Sequence, residues 1–138
     1  MKTNSLLFFV LMLTCCCSSV KSVETNSKTS LFDTKWIVKT INGEKVKVAK
    51  ESMPYLQFSD GTLIGYSACN RINGAYTIDK ESIVFDRMLS TKMYCHETQE
   101  IEQLFMQTLH KVKQWQIKKQ TLQLLDEYKN VIIELEQE

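Results

Sequence analysis

Proline is nearly missing from this 138-residue chain, which has one, and glycine is scarce, with four. That excludes collagen-like and proline-rich architectures and argues against extended disorder. An excess of charge is missing too. Seventeen basic residues face sixteen acidic ones, and losing Lys2 with an N-terminal leader would make them equal. A neutral chain argues against nucleic acid as a partner, which calls for a clustered basic face. The basic stretch Val46–Lys50 reads as a solvated loop. No apolar run approaches the ~20 residues needed to cross a bilayer as a helix. Histidine occurs twice. Cys69, Cys95, His96 and His110 fit no zinc spacing, and the adjacent pair Cys95-His96 cannot easily point at one ion. No Ser or Cys stands in a nucleophile elbow, and neither His has an evident orienting acid. The expectation is no catalytic residue, no metal and no cofactor.

With 43% hydrophobic and 24% charged residues, the chain has the composition and length of one globular domain. Its N-terminus is different. Lys2 precedes the unbroken apolar run Leu6–Leu13, which ends in Thr14-Cys15-Cys16-Cys17. A basic start and a short apolar run make a signal peptide. Lipoprotein processing needs a Leu-like residue three before the modified Cys and a small residue just before it. Cys16 fits best, with Leu13, Thr14 and Cys15 behind it. The reading is a signal peptide over 1–15, a lipidated Cys16 opening a Ser/Thr/Lys-rich tether over 16–30, and a folded domain over 31–138. Acyl chains on Cys16 bury CH2 groups at roughly 0.8 kcal/mol each and anchor the domain without spanning the membrane. The expected location is the cell envelope, on the outer membrane, facing the periplasm or the surface.

Within the domain, strand signals dominate. Thr34–Ile41 alternates, and Asn42-Gly43 is a turn. Pro54 opens Tyr55–Phe58, Ser59-Asp60-Gly61 is a hairpin turn, and Thr62–Ser67 carries Gly65, the mark of a bulge or a close backbone approach. A polar turn over Cys69–Gly74 leads to Ala75–Ile78, and Asp79-Lys80-Glu81 turns into Ser82–Phe85. Met88–Cys95 shows no period. From Thr98, Ile101, Leu104, Phe105, Leu109 and Val112 form one apolar helical stripe, with Glu97 and Glu100 near its start and Lys111 and Lys113 near its end. Trp115–Lys118, Thr121–Leu125 and Val131–Leu135 form a closing meander. The fold class is mainly β with one α-helix (α+β). About eight strands curl into a small antiparallel β-barrel-like domain, with one helix inserted before the last three.

Two runs carry a resemblance. Cys69-Asn70-Arg71…Gly74…Tyr76 and Ser90-Thr91-Lys92-Met93…Cys95, with Trp36…Asn42-Gly43 upstream and the amphipathic helix downstream, resemble the META (HslJ-like) domain of bacterial envelope proteins. The resemblance spans roughly Leu31 to Leu135. It implies a small β-rich domain with one helix and no defined activity. Some members are linked to heat shock or drug tolerance.

Cys69 and Cys95 are the only domain cysteines, and both lie in these motifs. In an oxidising envelope an isolated pair is most simply a disulfide; the other reading is two buried thiols. Asn70, Arg71, Thr91 and Lys92 form a candidate binding patch. The competing reading makes Asn70 and Arg71 the bonds that hold a turn, and the turn chemistry favours it. Trp36, Phe58, Tyr66, Tyr76, Phe85 and Trp115 read as core, or as the lining of an apolar cavity. The functional expectation is a non-catalytic, monomeric envelope lipoprotein that binds or supports an envelope protein, with a stress role that only the resemblance implies. The alternative is a carrier of a small apolar ligand in the barrel interior.

Overall fold

The computed structural model describes residues 30–138. The signal peptide, Cys16 and the tether lie outside the described residues. Nine strands and one α-helix follow in order, with a short 3-10 helix over Lys50–Ser52 between the second and third strands: β1 Lys35–Ile41, β2 Glu44–Lys45, β3 Tyr55–Ser59, β4 Thr62–Tyr66, β5 Arg71–Asp79, β6 Ser82–Ser90, α1 Gln99–Leu109, β7 Gln114–Lys118, β8 Thr121–Leu125 and β9 Val131–Gln137. All named strands pair antiparallel in the order β2-β1-β3-β4-β5-β6-β7-β8-β9, and a β1–β9 pairing closes the sheet on itself. The barrel is tight except at β6–β7, which meet at the single pair Ser82↔Gln114.

The turns follow from their residues. Asn42 and Gly43 both have positive φ (50° and 83°), as do Asp60 and Gly61 (43° and 75°). Two left-handed residues in succession match the twist of the flanking strands, so each pair closes a hairpin. The first of these creates β2, the ninth strand. Two residues are too short to show a period, which is why the pattern predicts eight. In the β8–β9 turn the Asp126 carboxylate accepts from Asn130 Nδ2 (3.0 Å), Asn130 N (2.8 Å) and Tyr128 N (2.9 Å). These bonds, that from the Asn130 side chain foremost, hold its carboxyl below the ordinary carboxylate value.

Two bulges shift the expected alternation. In β1, Trp36 and Val38 face inward, and the register against β9 slips between Val38 and Thr40. The slip flips the parity, so Ile41 is buried where strict alternation would put Thr40. In β6 the register against β5 slips opposite Asn73 and Ala75, and Arg87 takes φ +48°. The extra residue lets Phe85 and Met88 both turn inward, three positions apart. That broken period hid the second half of β6, which runs to Ser90 and not only to Phe85. β5 is longer as well, and starts at Arg71 rather than Ala75.

The interior is filled. Trp36, Phe58 and Phe105 are the largest fully buried side chains, packed with Leu56, Leu63, Ile83, Leu122, Leu124, Ile133 and Leu135. Trp36 donates its indole N–H to Leu31 O (3.0 Å), so its burial leaves no orphan donor. Phe58 meets Tyr76 edge-on, centroids 5.2 Å apart, and stacks on Phe85 at 6.3 Å. Tyr66, Phe85 and Trp115 are only half-buried. The helix buries Phe105 and Leu109 while Leu104 stays exposed. It ends at Leu109, earlier than the stripe suggests. Val112 is buried in the following turn, and Lys111 and Lys113 lie beyond the last helical turn.

Candidate functional site

The two motif runs meet at the start of the helix. Reversal from β4 to β5 takes only Ser67–Asn70, shorter than the Cys69–Gly74 turn expected. Ser67 N donates to Asn70 O (2.8 Å), and Asn70 N donates back to Ser67 Oγ (3.1 Å). Ala68 is buried with φ +84°, a conformation that strains a residue with a Cβ. Cys69 is disulfide-bonded to Cys95, with Cα atoms 5.8 Å apart and a sequence separation of 26. Thr98 stands at the helix N-cap, yet its hydroxyl makes no capping bond and instead donates to Ala68 O (2.9 Å).

Asn70 is the hub of this junction. It is 3% exposed. Its Nδ2 donates to Met93 O (3.0 Å) and to Glu102 Oε1 of the helix (2.7 Å). Its Oδ1 accepts from Met93 N and from Thr91 Oγ1, both at 2.7 Å. All four bonding positions of the side-chain amide are filled. Glu102 Oε1 also accepts from the Ser67 hydroxyl (2.8 Å). Thr91 Oγ1 in turn accepts from Arg71 N (3.1 Å). The amide therefore clamps three segments: the β4–β5 turn, the loop after β6, and the helix. Glu102, a residue the sequence reading did not single out, is the helix's part of the clamp. Its signal was faint: a half-buried acid one turn into an amphipathic helix.

The four residues of the candidate patch separate. Asn70 points inward and Thr91 Oγ1 is tied to it. Arg71 and Lys92 are exposed, and the Arg71 guanidinium has no hydrogen-bond or ion-pair partner among the described residues. Alternation explains the split, because Asn70 and Arg71 are consecutive at the entry to a strand and face opposite ways. On the outer face Tyr55 pairs with Tyr66, and Tyr66 with Arg71. The next row runs Ile64, Asn73, Leu89. The two tyrosine rings stack at 6.2 Å, and Lys35 Nζ sits 4.8 Å from the Tyr55 centroid. Met93 and Tyr94 are also exposed, at 65% and 73%, although Met93's backbone is pinned from both sides by Asn70. Among the described residues no group of three His, Cys, Asp or Glu side chains could hold a metal ion.

The META domain family matches residues 29–138 of this sequence. The chain belongs to the META domain family. No curated protein matches it. Two solved structures share the fold of this META domain protein. One is the NMR structure of a protein from Burkholderia xenovorans, with 20% identity, a TM-score of 0.63, and coverage of 78% of this chain and 83% of that chain. The other is a second protein NMR structure, with 20% identity, a TM-score of 0.58, and coverage of 74% and 87%. At that identity they speak for the fold alone, a small antiparallel β architecture with one helix.

Proposed function

We propose that this META domain protein is a non-catalytic binding or assembly-support module of the bacterial cell envelope, tethered to a membrane through lipid on Cys16 and acting under envelope stress. The observation that carries the reading is the division of labour within the motifs. Their inward groups are taken up by the protein's own architecture, whereas the Arg71 guanidinium, on an open face beside exposed Ile64 and Leu89, has no partner among the described residues. The large side chains Trp36, Phe58 and Phe105 in the barrel interior favour this reading over a carrier of an apolar ligand, which would need vacant space there. The tether reading rests on Leu13-Thr14-Cys15-Cys16.

Native mass spectrometry of the protein extracted gently from its own envelope tests the module reading. A component co-isolating at fixed stoichiometry, and lost when the Tyr66–Arg71 face is altered, is the expected result. A bare monomer at every extraction condition refutes it. Membrane fractionation of Cys16→Ser tests the anchor, and persistence in the membrane pellet would sink it.

A further inference from the structure

We infer that the outer face of β4, β5 and β6 binds a carboxylate-bearing sugar, an inference that rests on the binding-module reading and names its ligand class. A shallow groove of about 570 Å³ lies there, lined in part by Tyr55, Ile64, Arg71, Asn73 and Leu89. That is room for a small ligand. Arg71 and Asn73 are two residues apart on one strand, so both stand on the same face about 7 Å apart. Neither side chain has a hydrogen-bond partner among the described residues, and both are exposed.

Charge selects the ligand's first group. Arg71 is a fixed cation with a planar fork of donors that fits a carboxylate in two parallel bonds. Among the described residues no carboxylate pairs with Arg71, and the ion pairs present involve other cations. Glu138 pairs with Lys35 at 2.9 Å, Glu136 with Lys39 at 3.5 Å and Asp86 with Arg87 at 3.4 Å. Arg71 thus offers an uncompensated charge to an anion from outside. The Asn73 amide adds a donor and an acceptor suited to sugar hydroxyls. The ring of Tyr55, which lines the groove, supplies apolar contact for the C–H side of a pyranose. Ile64, 43% exposed, and Leu89, 70% exposed, offer contact to an apolar substituent such as an acetyl methyl.

The same face suits an acidic peptide poorly. Extended peptides gain affinity by adding to a free sheet edge. Here β4 and β5, which carry Ile64, Arg71 and Asn73, have paired strands on both sides, and the open edge of β6 lies on its far side, beyond the pair Ser82↔Gln114. A sugar recognised through side chains needs no edge.

The test is an amide and side-chain NMR titration of the full chain in detergent micelles. Three probes are used: N-acetylmuramic acid, the neutral N-acetylglucosamine, which lacks its carboxylate-bearing ether, and a glutamate-rich peptide. The expected result is that the acidic sugar shifts the signals of Arg71, Asn73 and Leu89, with the neutral sugar weaker by about tenfold or more. Arg71→Gln should remove that preference with the urea midpoint unchanged, because the side chain supports nothing else. Asn73→Ala should weaken both sugars. Equal binding of the two sugars, silence with both, or binding of the peptide alone overturns the proposal. Silence with both sugars, alongside a component that still co-isolates from the envelope, would remove the ligand class and leave the module reading standing.

Discussion

Replacing Asn70 should unfold the junction between the sheet and the helix. In Asn70→Ala the four bonds made by the amide disappear together. Three join neutral groups, each worth about 1 kcal/mol net, and the fourth reaches the Glu102 carboxylate, worth about 1.5–3 kcal/mol. Met93 N–H and C=O are left without their partner in a part-buried site. The expected loss is about 4.5–6 kcal/mol, a large share of the roughly 5–15 kcal/mol that stabilises a domain of this size. Asn70→Asp separates the chemistry from the volume. It keeps the shape and the acceptor for Met93 N–H and Thr91, but replaces the donor with an oxygen facing Glu102 Oε1, 2.7 Å from the present nitrogen. Two carboxylates about 4 Å apart repel by about 4 kcal/mol at an effective dielectric of 20. The aspartate should therefore be no more stable than the alanine, despite being nearly isosteric.

Urea unfolding followed by far-UV circular dichroism measures both. The midpoint should fall with little change in slope, the sign of lost stability rather than altered compactness. A second substitution sharpens the reasoning: Glu102→Gln in the Asn70→Asp background supplies a donor to the new carboxylate and should recover at least about 1 kcal/mol. If Asn70→Ala lies within about 1 kcal/mol of the parent, or Glu102→Gln fails to rescue the aspartate, the clamp is not what holds the helix to the sheet.

Cys69→Ser with Cys95→Ser opens a 26-residue loop, and the chain-entropy relation puts the loss at roughly 3–4 kcal/mol; an unfolding midpoint equal to that of the oxidised parent would contradict it. A Cβ at Gly65 would meet Tyr55 O at 2.5 Å and Leu56 Cδ2 at 3.0 Å, whereas at Gly74 its nearest neighbour is the mobile end of Met88. Gly65→Ala should therefore cost about 1–3 kcal/mol by thermal unfolding and more than Gly74→Ala; the reverse order would refute the close-approach account. Burial, chiefly, pushes the Tyr76 phenol above its ordinary 10.0, with Asp60 and Asp33 adding to the rise and a Gly61 backbone bond opposing it. Above pH 10 the unfolded chain therefore releases a proton that the folded chain still holds. The Tyr76 contribution should be flat below that pH and fall as pH rises from there toward the folded value; if Tyr76→Phe leaves the alkaline fall as steep as before, another group causes it.

Much of the architecture could be read from the chain, and what could not has a physical reason. Hairpins announced themselves where Asn42-Gly43 and Asp60-Gly61 supply two left-handed residues, because turn chemistry is local. Gly65 signalled a close approach, and the carbonyl of Tyr55 is what it approaches. β2 escaped notice because two residues cannot display a period. The second half of β6 escaped because the bulge at Arg87 reverses inside and outside partway along. The apolar spacing overstates the helix by a turn because Val112 continues it although the chain has already left the helix. At the junction, the pairing partners of Asn70 lie 21 to 32 residues away in sequence. Only the fold brings Thr91, Met93 and Glu102 to one amide, and no local pattern names Glu102 as a member.

The junction also explains why one motif can serve two purposes without conflict. Asn70 and Arg71 are neighbours in sequence, but they stand at the mouth of a strand, where successive side chains leave by opposite faces. Inward, the amide fixes the backbone of Met93 and the start of the helix. Its other partner, Thr91, holds the Arg71 backbone N–H, so the clamp sets where the guanidinium emerges. The rigidity that Asn70 provides becomes, one residue later, the fixed position of an unpaired cation on the open face. Loss of Arg71 should then leave folding intact, whereas loss of Asn70 should disturb both. A site held this way reduces the entropy that ligand binding must overcome, since its backbone is already ordered.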